Sequence, residues 1–205
     1  MATKIFLIRH GLTLWNHEHR YQGHTDIELS EEGIKQAVAL KKRFMNTELQ
    51  AIYSSDLQRA VKTAEIINEA HQLPLQLFPE LREINFGKWE GLTYEQIEKQ
   101  YPQQLKGWIT NPHLIKIPDG ECLTMVQERA MRIMRYIGSE HPEGSLIVIA
   151  HGVIIATIIC GFLRLSVEKM KDYKQDNTAV AMMTIEGNKA SLDLFNDLSH
   201  LETSF

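Results

Sequence analysis

Cysteine is scarce in this chain. Cys122 and Cys160 are the only two among 205 residues, too few for a disulfide framework. Cys160 falls within an apolar helical run, as a small core residue does. Long hydrophobic runs are missing as well: the longest after His151, from Val153 to Cys160, is far too short to span a bilayer. The opening Met-Ala-Thr-Lys leads straight into strand-like sequence without the apolar region of a signal peptide, so a cytoplasmic protein is expected. Charge of either sign is not in excess. Lys and Arg number 22 against 26 Asp and Glu, and the formal charge of -4 supports neither nucleic-acid binding nor an anionic membrane surface as partner. Repeats, low-complexity tracts and Ser/Gly-rich linkers are absent, and the length suits one domain over 1–205 with a sizeable core.

Two similar features stand out. An apolar, β-prone run ends in His-Gly at Ile5-Phe-Leu-Ile-Arg9-His10-Gly11, and another does so at Leu146-Ile-Val-Ile-Ala-His151-Gly152. Runs of this kind read as strands buried on both faces, as in a parallel sheet covered by helices. Ligands in such sheets bind beyond the carboxyl ends of the strands, so two strand-end histidines can share one pocket. The intervening sequence alternates strands and helices. A helix is expected from an N-cap at Ser30, with Ile34, Ala37, Val38, the Lys41 stem and Phe44/Met45 as its inner face. A short strand at 51–54 precedes a helix over about 56–71 whose stripe is Leu57, Ala60, Val61, Ala64 and Ile67. Residues 11–26 and 81–91 read as irregular, and Thr93 with Gln96 forms a capping box. Residues 101–121, rich in Pro and Gly, read as a lid-like insertion. A helix over 123–140, a strand over 145–150, a helix after His151 and a hairpin around Gly187-Asn188 complete an α/β fold with a mainly parallel sheet. Met125, Met131 and Met134 are expected in the core, and so are Leu14 and Trp15, with the edge of the pocket as the alternative for either of these two.

The chemistry follows from four residues. Arg9 and Arg59 offer fork-shaped cationic donors suited to phosphate oxygens. The helices starting near Asp56 and after His151 are expected to add their N-terminal N–H groups. A neutral imidazole held against that cradle, His10 or His151, can attack phosphorus and split hydrolysis into two displacements. The leaving oxygen needs a proton, for which Glu83 is the candidate; it then serves as base toward water. Read alone, Arg59 suits a solvated helix position, and Glu83 suits a partner for Arg82 or Lys88. A zinc site from His17, Glu18, His19 and His24 is not expected, because guanidiniums crowd the same stretch and no His-Glu-x-x-His helix accompanies them.

Taken in order, the Arg9-His10-Gly11-Leu12-Thr13-Leu14-Trp15-Asn16 stretch, Tyr21-Gln22-Gly23, Ser54 to Ala60, Leu81-Arg82-Glu83 to Trp89-Glu90-Gly91, Pro118-Asp119-Gly120-Glu121 and Ala150-His151-Gly152 resemble the histidine phosphatase (phosphoglycerate mutase-like) superfamily. The resemblance covers nearly the whole chain and is nearest to the broad-specificity phosphatase and α-ribazole phosphatase branch. It implies a three-layer α/β sandwich around a mixed sheet, with helices on both faces. It also implies His10 as the phosphorylated nucleophile, Arg9, Arg59 and His151 around the phosphoryl group, and Glu83 as proton donor. Asn16, Gln22, Gly23 and Gly152 match substrate-binding positions, and neither metal nor other cofactor is implied. Leu12 departs from the polar residue common in relatives, and Cys122 from the common Ser. The compact 87–150 segment, with only Lys106, His113 and Lys116 as cations in 101–121, favours a metal-independent phosphomonoesterase acting on a small phosphorylated metabolite. The alternatives are a bisphosphoglycerate-dependent phosphoglycerate mutase and a non-catalytic phospho-ligand-binding domain. Trp108, Leu114 and Ile115 are expected to receive the substrate body. The sequence leaves the physiological substrate open, and likewise the choice between monomer and homodimer.

Overall fold

The computed structural model of the chain describes residues 2–202. Its framework is one six-stranded sheet. β1 (Thr3–Arg9) is followed by α1 (Leu14–His17), α2 (Glu31–Phe44), β2 (Ala51–Ser54), α3 (Gln58–Asn68) and β3 (Leu75–Leu77). Then come α4 (Tyr94–Gln100), α5 (Pro102–Thr110), α6 (Leu123–Glu140), β4 (Gly144–Ala150) and α7 (Gly152–Phe162). The hairpin β5 (Val180–Glu186) and β6 (Lys189–Asp197) and the short α8 (Ser199–Glu202) end the fold. The strand order is β3-β2-β4-β1-β5-β6. The first four of these run parallel, and the hairpin joins β1 antiparallel, which makes the sheet mixed.

Alternate residues of the central strands feed two apolar layers. Ile5 and Leu7 of β1 and Leu146 and Val148 of β4 pack with α6 and α7 on one face. Ile8, Ile52, Ile147 and Ile149 pack with α2 and α3 on the other. Ile154 to Cys160 of α7 are all buried, as suits a helix apolar on every side. The parallel register pairs Arg9 with Ala150. The next residues, His10 and His151, therefore leave the sheet side by side.

The expected elements match in outline, with local differences. The inner face of α2 is Gly33, Gln36, Ala37, Leu40 and Phe44, while Ile34 and Met45 are exposed. The helix is rotated because Gln36 turns inward to accept the Leu12 N–H (3.0 Å) and Gly33 lies against the Leu12 backbone. Helix α3 begins at Gln58 rather than Asp56, since Asp56 is held by Arg82 at 2.5–2.6 Å and Asp26 accepts the Gln58 N–H instead. The stretch read as irregular after Gly11 contains α1, started by a Thr13–Asn16 capping box. Leu14 and Met125 are exposed, whereas Met134 is buried. Residues 101–121 hold α5 and a 3₁₀ turn at Pro112–Leu114, and they anchor to the core through Leu105 and Ile117.

Candidate active site

Both histidines are buried, and their ring centroids lie 5.0 Å apart. Each ring has one nitrogen committed to a protein group, which fixes its proton. His10 Nδ1 lies 2.7 Å from the Gly11 carbonyl oxygen, and a carbonyl only accepts, so that nitrogen carries the hydrogen. Nε2 of His10 is left with its lone pair. His151 shows the opposite arrangement: its Nδ1 accepts from Arg59 Nε at 3.2 Å, so Nε2 carries the hydrogen. Burial foremost, then the charges of Arg59 and Arg9, hold the His10 imidazole well below its ordinary value, and the Gly11 carbonyl opposes this only in part. Burial and Arg59 do the same to His151. Both rings are therefore neutral at pH 7.

Two guanidiniums surround them. Arg59 is fully buried on α3, with Nη1 donating to the Thr25 carbonyl (2.9 Å) and Nη2 to that of Gly23 (2.8 Å). Burial pushes it down to about 10, against the pull of Glu83 and Asp26, so it keeps its charge at neutral pH. Arg9 donates from Nη1 to the Gln175 carbonyl at 2.7 Å. Arg9 Nε, His151 Nε2 and one end of the Gln22 amide are buried without a hydrogen-bond partner among the described residues. Arg9 and Gln22 also line a cavity, so their unpartnered atoms can meet a polar ligand there.

Glu83 sits opposite, and it pairs with neither Arg82 nor Lys88: the former holds Asp56, the latter Asp119 at 3.2 Å. Its carboxyl oxygens accept from the backbone N–H groups of Val153 and Ile154 at 3.1–3.2 Å, and from that of Ile84 at 3.0 Å. This corrects the expectation that two helix N-termini face a phosphate. The first turn of α7 is occupied by Glu83, and that of α3 by Asp26, because each carboxylate competes for those donors at short range.

His10, Asn16, Gln22, Gly23, Arg59 and Glu83 line one cavity of about 600 Å³. A neighbouring cavity of about 630 Å³ shares Arg9, Tyr21, Glu83, Phe86, Lys174 and Asp176 with it and continues toward Tyr94, Trp108, Ile109 and Gly152. His151 is fully buried beside His10 and is not among the lining residues of either cavity. Trp108 forms part of the second wall as expected. Leu114 does not, being 72% exposed, and the Ile115 side chain is spent on covering Gly107. An ideal Cβ on Gly152 would meet Arg9 and Glu83 at 3.7–3.8 Å, so the glycine keeps the space between them open. Gly23 has φ +55°, and a Cβ there would collide with Glu90, whose carboxylate accepts from the His24 and Thr25 N–H groups at 2.8–2.9 Å.

Not every contributor is evident from sequence. Asn177 donates to the His10 carbonyl at 3.0 Å, and Thr63 accepts the Gly11 N–H at 3.1 Å, from segments far along the chain. Thr63 falls in the Thr63-Ala64 pair that accompanies the Ser54 to Ala60 stretch in the family resemblance, whereas no local motif flags Asn177 and only the fold brings it in. His17, Glu18, His19 and His24 do not converge, and no group of three or more such side chains among the described residues could hold a metal ion. Cys122 precedes α6 without giving it a side-chain cap.

Comparison with known proteins gives the family of the chain. The chain is 31% identical to phosphoserine phosphatase 1 of Hydrogenobacter thermophilus, across 97% of its own length and 94% of the relative's. It is 32% identical to a metal-independent phosphoserine phosphatase of Arabidopsis thaliana, across 98% and 84%. Among solved structures, Bacillus stearothermophilus YhfR superposes with a TM-score of 0.92 at 33% identity, across 97% of this chain and 99% of that one. The sequence profile of the histidine phosphatase superfamily, branch 1, matches residues 5–198, and the chain belongs to that family.

Proposed function

We propose that this chain hydrolyses phosphate monoesters through a phosphohistidine formed on His10, without a metal ion. The enzyme is a phosphatase of the histidine phosphatase type. One observation carries the assignment of the nucleophile: the Gly11 carbonyl holds the Nδ1 hydrogen of His10, which leaves Nε2 as an unprotonated attacking atom on a cavity wall. In the first step Nε2 bonds to phosphorus and the ester P–O bond breaks. Glu83 gives the departing oxygen its proton, and the alcohol leaves. In the second step Glu83 takes a proton from water as the water oxygen bonds to phosphorus, the P–N bond breaks, and His10 returns neutral with release of phosphate. Arg9, Arg59 and the Nε2 hydrogen of His151 are assigned to the phosphoryl oxygens, where charge neutralisation lowers the barrier. Asn16, Gln22, Gly23 and Gly152 are assigned to the same pocket.

Three backbone N–H groups, of Ile84, Val153 and Ile154, hold the Glu83 carboxyl at the pocket. The second cavity is assigned to the substrate body, with residues 101–121 as a lid supplied by α5 and the turn after it. The aromatic lining of Tyr21, Phe86, Tyr94 and Trp108, with Lys174 and Asp176 at the junction, supports a small metabolite carrying both apolar and polar groups. No helix among the described residues is long and apolar enough to cross a membrane, and a cytoplasmic setting is part of this proposal.

The test is hydrolysis of p-nitrophenyl phosphate in excess EDTA by wild type and His10→Ala. Full activity in chelator and none in the variant is expected. Activity surviving the substitution would overturn the assignment.

A further inference from the structure

Arg129, on α6, uses every N–H of its guanidinium within the protein. Nε and Nη2 grip the two carboxylate oxygens of Glu121, both at 2.9 Å. Nη1 donates to the carbonyls of Glu80 and Arg82, each at 2.7 Å, and Nη2 also donates to the carbonyl of Glu83 at 2.8 Å. His24 Nε2 lies 2.9 Å from the same Glu83 carbonyl, and since that oxygen only accepts, the ring nitrogen donates. The Glu121 oxygen gripped by Nη2 also accepts the Asn85 N–H at 2.8 Å. One planar cation thus fastens the chain on both sides of Glu83, directly at residues 80, 82 and 83 and through Glu121 at residue 85.

We propose that Arg129, oriented by Glu121, is the positioning residue for the proton donor: it holds the Glu83 main chain so that the carboxyl meets the leaving oxygen. The carboxyl end of Glu83 rests on the first turn of α7, and its carbonyl end rests on α6 through Arg129. The donor is therefore clamped between two helices. Residues 82–91, which follow the 3₁₀ turn at Pro79–Leu81, have no helix or strand apart from the 3₁₀ turn at Gly87–Trp89, so their own backbone bonds provide little restraint at Glu83. A lysine could not replace the clamp, because an ammonium has three donors in a compact head and cannot reproduce the planar fork. This inference rests on the reading of Glu83 as the proton donor.

The experiment compares two esters. p-Nitrophenolate is a weak base that departs without a proton, whereas the alkoxide of glycerol 2-phosphate requires one. Glu83→Gln sets the scale, since it should lower kcat/KM, which reports formation of the phosphoenzyme, for the glycerol ester far more than for the nitrophenyl ester. Arg129→Lys is expected to shift the ratio of the two kcat/KM values in the same direction by about tenfold to a hundredfold, as a misplaced catalytic group does. The double variant should lose little more than Glu83→Gln alone. Equal loss of kcat/KM on both esters would reduce Arg129 to a structural staple and overturn the proposal. No selectivity in Glu83→Gln itself would instead overturn the reading of Glu83. Should Arg129→Lys fail to fold, Glu121→Gln, which keeps the three carbonyl bonds, decides on the same ratio, with a smaller shift in the same direction expected.

Discussion

Replacing Gly33 with alanine tests how the sheet and α2 jointly place the nucleophile. The glycine lies in the first turn of α2, and a Cβ there would stand 2.1 Å from the Leu12 carbonyl oxygen and 2.8 Å from its nitrogen. Ordinary contact begins near 3.4 Å, so loop and helix must separate by more than an ångström. The loop cannot move freely. The Leu12 oxygen accepts the Ser30 N–H at 2.8 Å and its N–H is held by Gln36 at 3.0 Å, while Gly11 faces the Gly33 carbonyl from the other side. Overpacking against backbone sits at the top of its usual range, about 3 kcal/mol, and alanine returns about 0.5–1 kcal/mol through helix propensity, so a net loss of about 2–2.5 kcal/mol is expected. In a domain of this size that lowers Tm by roughly 4–10 °C. Because residues 10–12 carry the nucleophile, a displacement near 1 Å should also lower kcat/KM by about a hundredfold. The assays are urea denaturation and p-nitrophenyl phosphate kinetics on the same preparation. A variant within about 0.5 kcal/mol of wild type and equally active would refute the packing argument.

The same reasoning gives Gly138→Ala the opposite sign. Nothing lies within 4 Å of an added Cβ in that turn of α6, so a gain of about 0.5–1 kcal/mol is expected on the same denaturation assay, and a loss would contradict it. Protonation supplies another test. His10 and His151 hold folded-state values well below 6.5, so the unfolded chain binds more protons as pH falls past that point. Their contribution is complete above about pH 6.5 and declines toward their folded values, with a slope of up to about 1.4 kcal/mol per pH unit for each. Stability that stays flat between pH 6.5 and 5 would be inconsistent with neutral buried rings. Finally, Trp108 stands edge-on to Phe86 and Trp89, with centroids 5.8 and 6.2 Å away, on the wall of the second cavity. Trp108→Ala should raise KM for naphthyl phosphate by about tenfold and leave kcat unchanged, whereas an unaltered KM would remove that cavity from substrate recognition.

Elements with strong local signals were legible in the sequence. The two apolar runs ending in His-Gly, the Ser30 cap, the Thr93–Gln96 box and the 123–140 helix all occur where their chemistry indicates. The convergence of His10 and His151 was legible too, since both are strand ends, and the register beside Ala150 completes it. Where distant groups compete, local reading fails. Asp56 resembles a helix start, yet Arg82 captures it and Asp26 caps α3 from elsewhere in the chain. The inner face of α2 shifts because a glutamine finds a backbone donor there, at the expense of Ile34. Arg129 borders the apolar stripe of an amphipathic helix, where arginine is ordinarily solvated, and its five bonds exist only once residues 80–83 fold against it.

The most direct test of the central claim is rapid acid-free quenching of enzyme during turnover of p-nitrophenyl phosphate, followed by peptide mass spectrometry under alkaline conditions that preserve phosphohistidine. The expected result is a single acid-labile phosphoryl group on the peptide containing His10, absent in His10→Ala and longer-lived in Glu83→Gln. A turning-over enzyme whose phosphoryl group is found on His151, or on no histidine, would contradict the account.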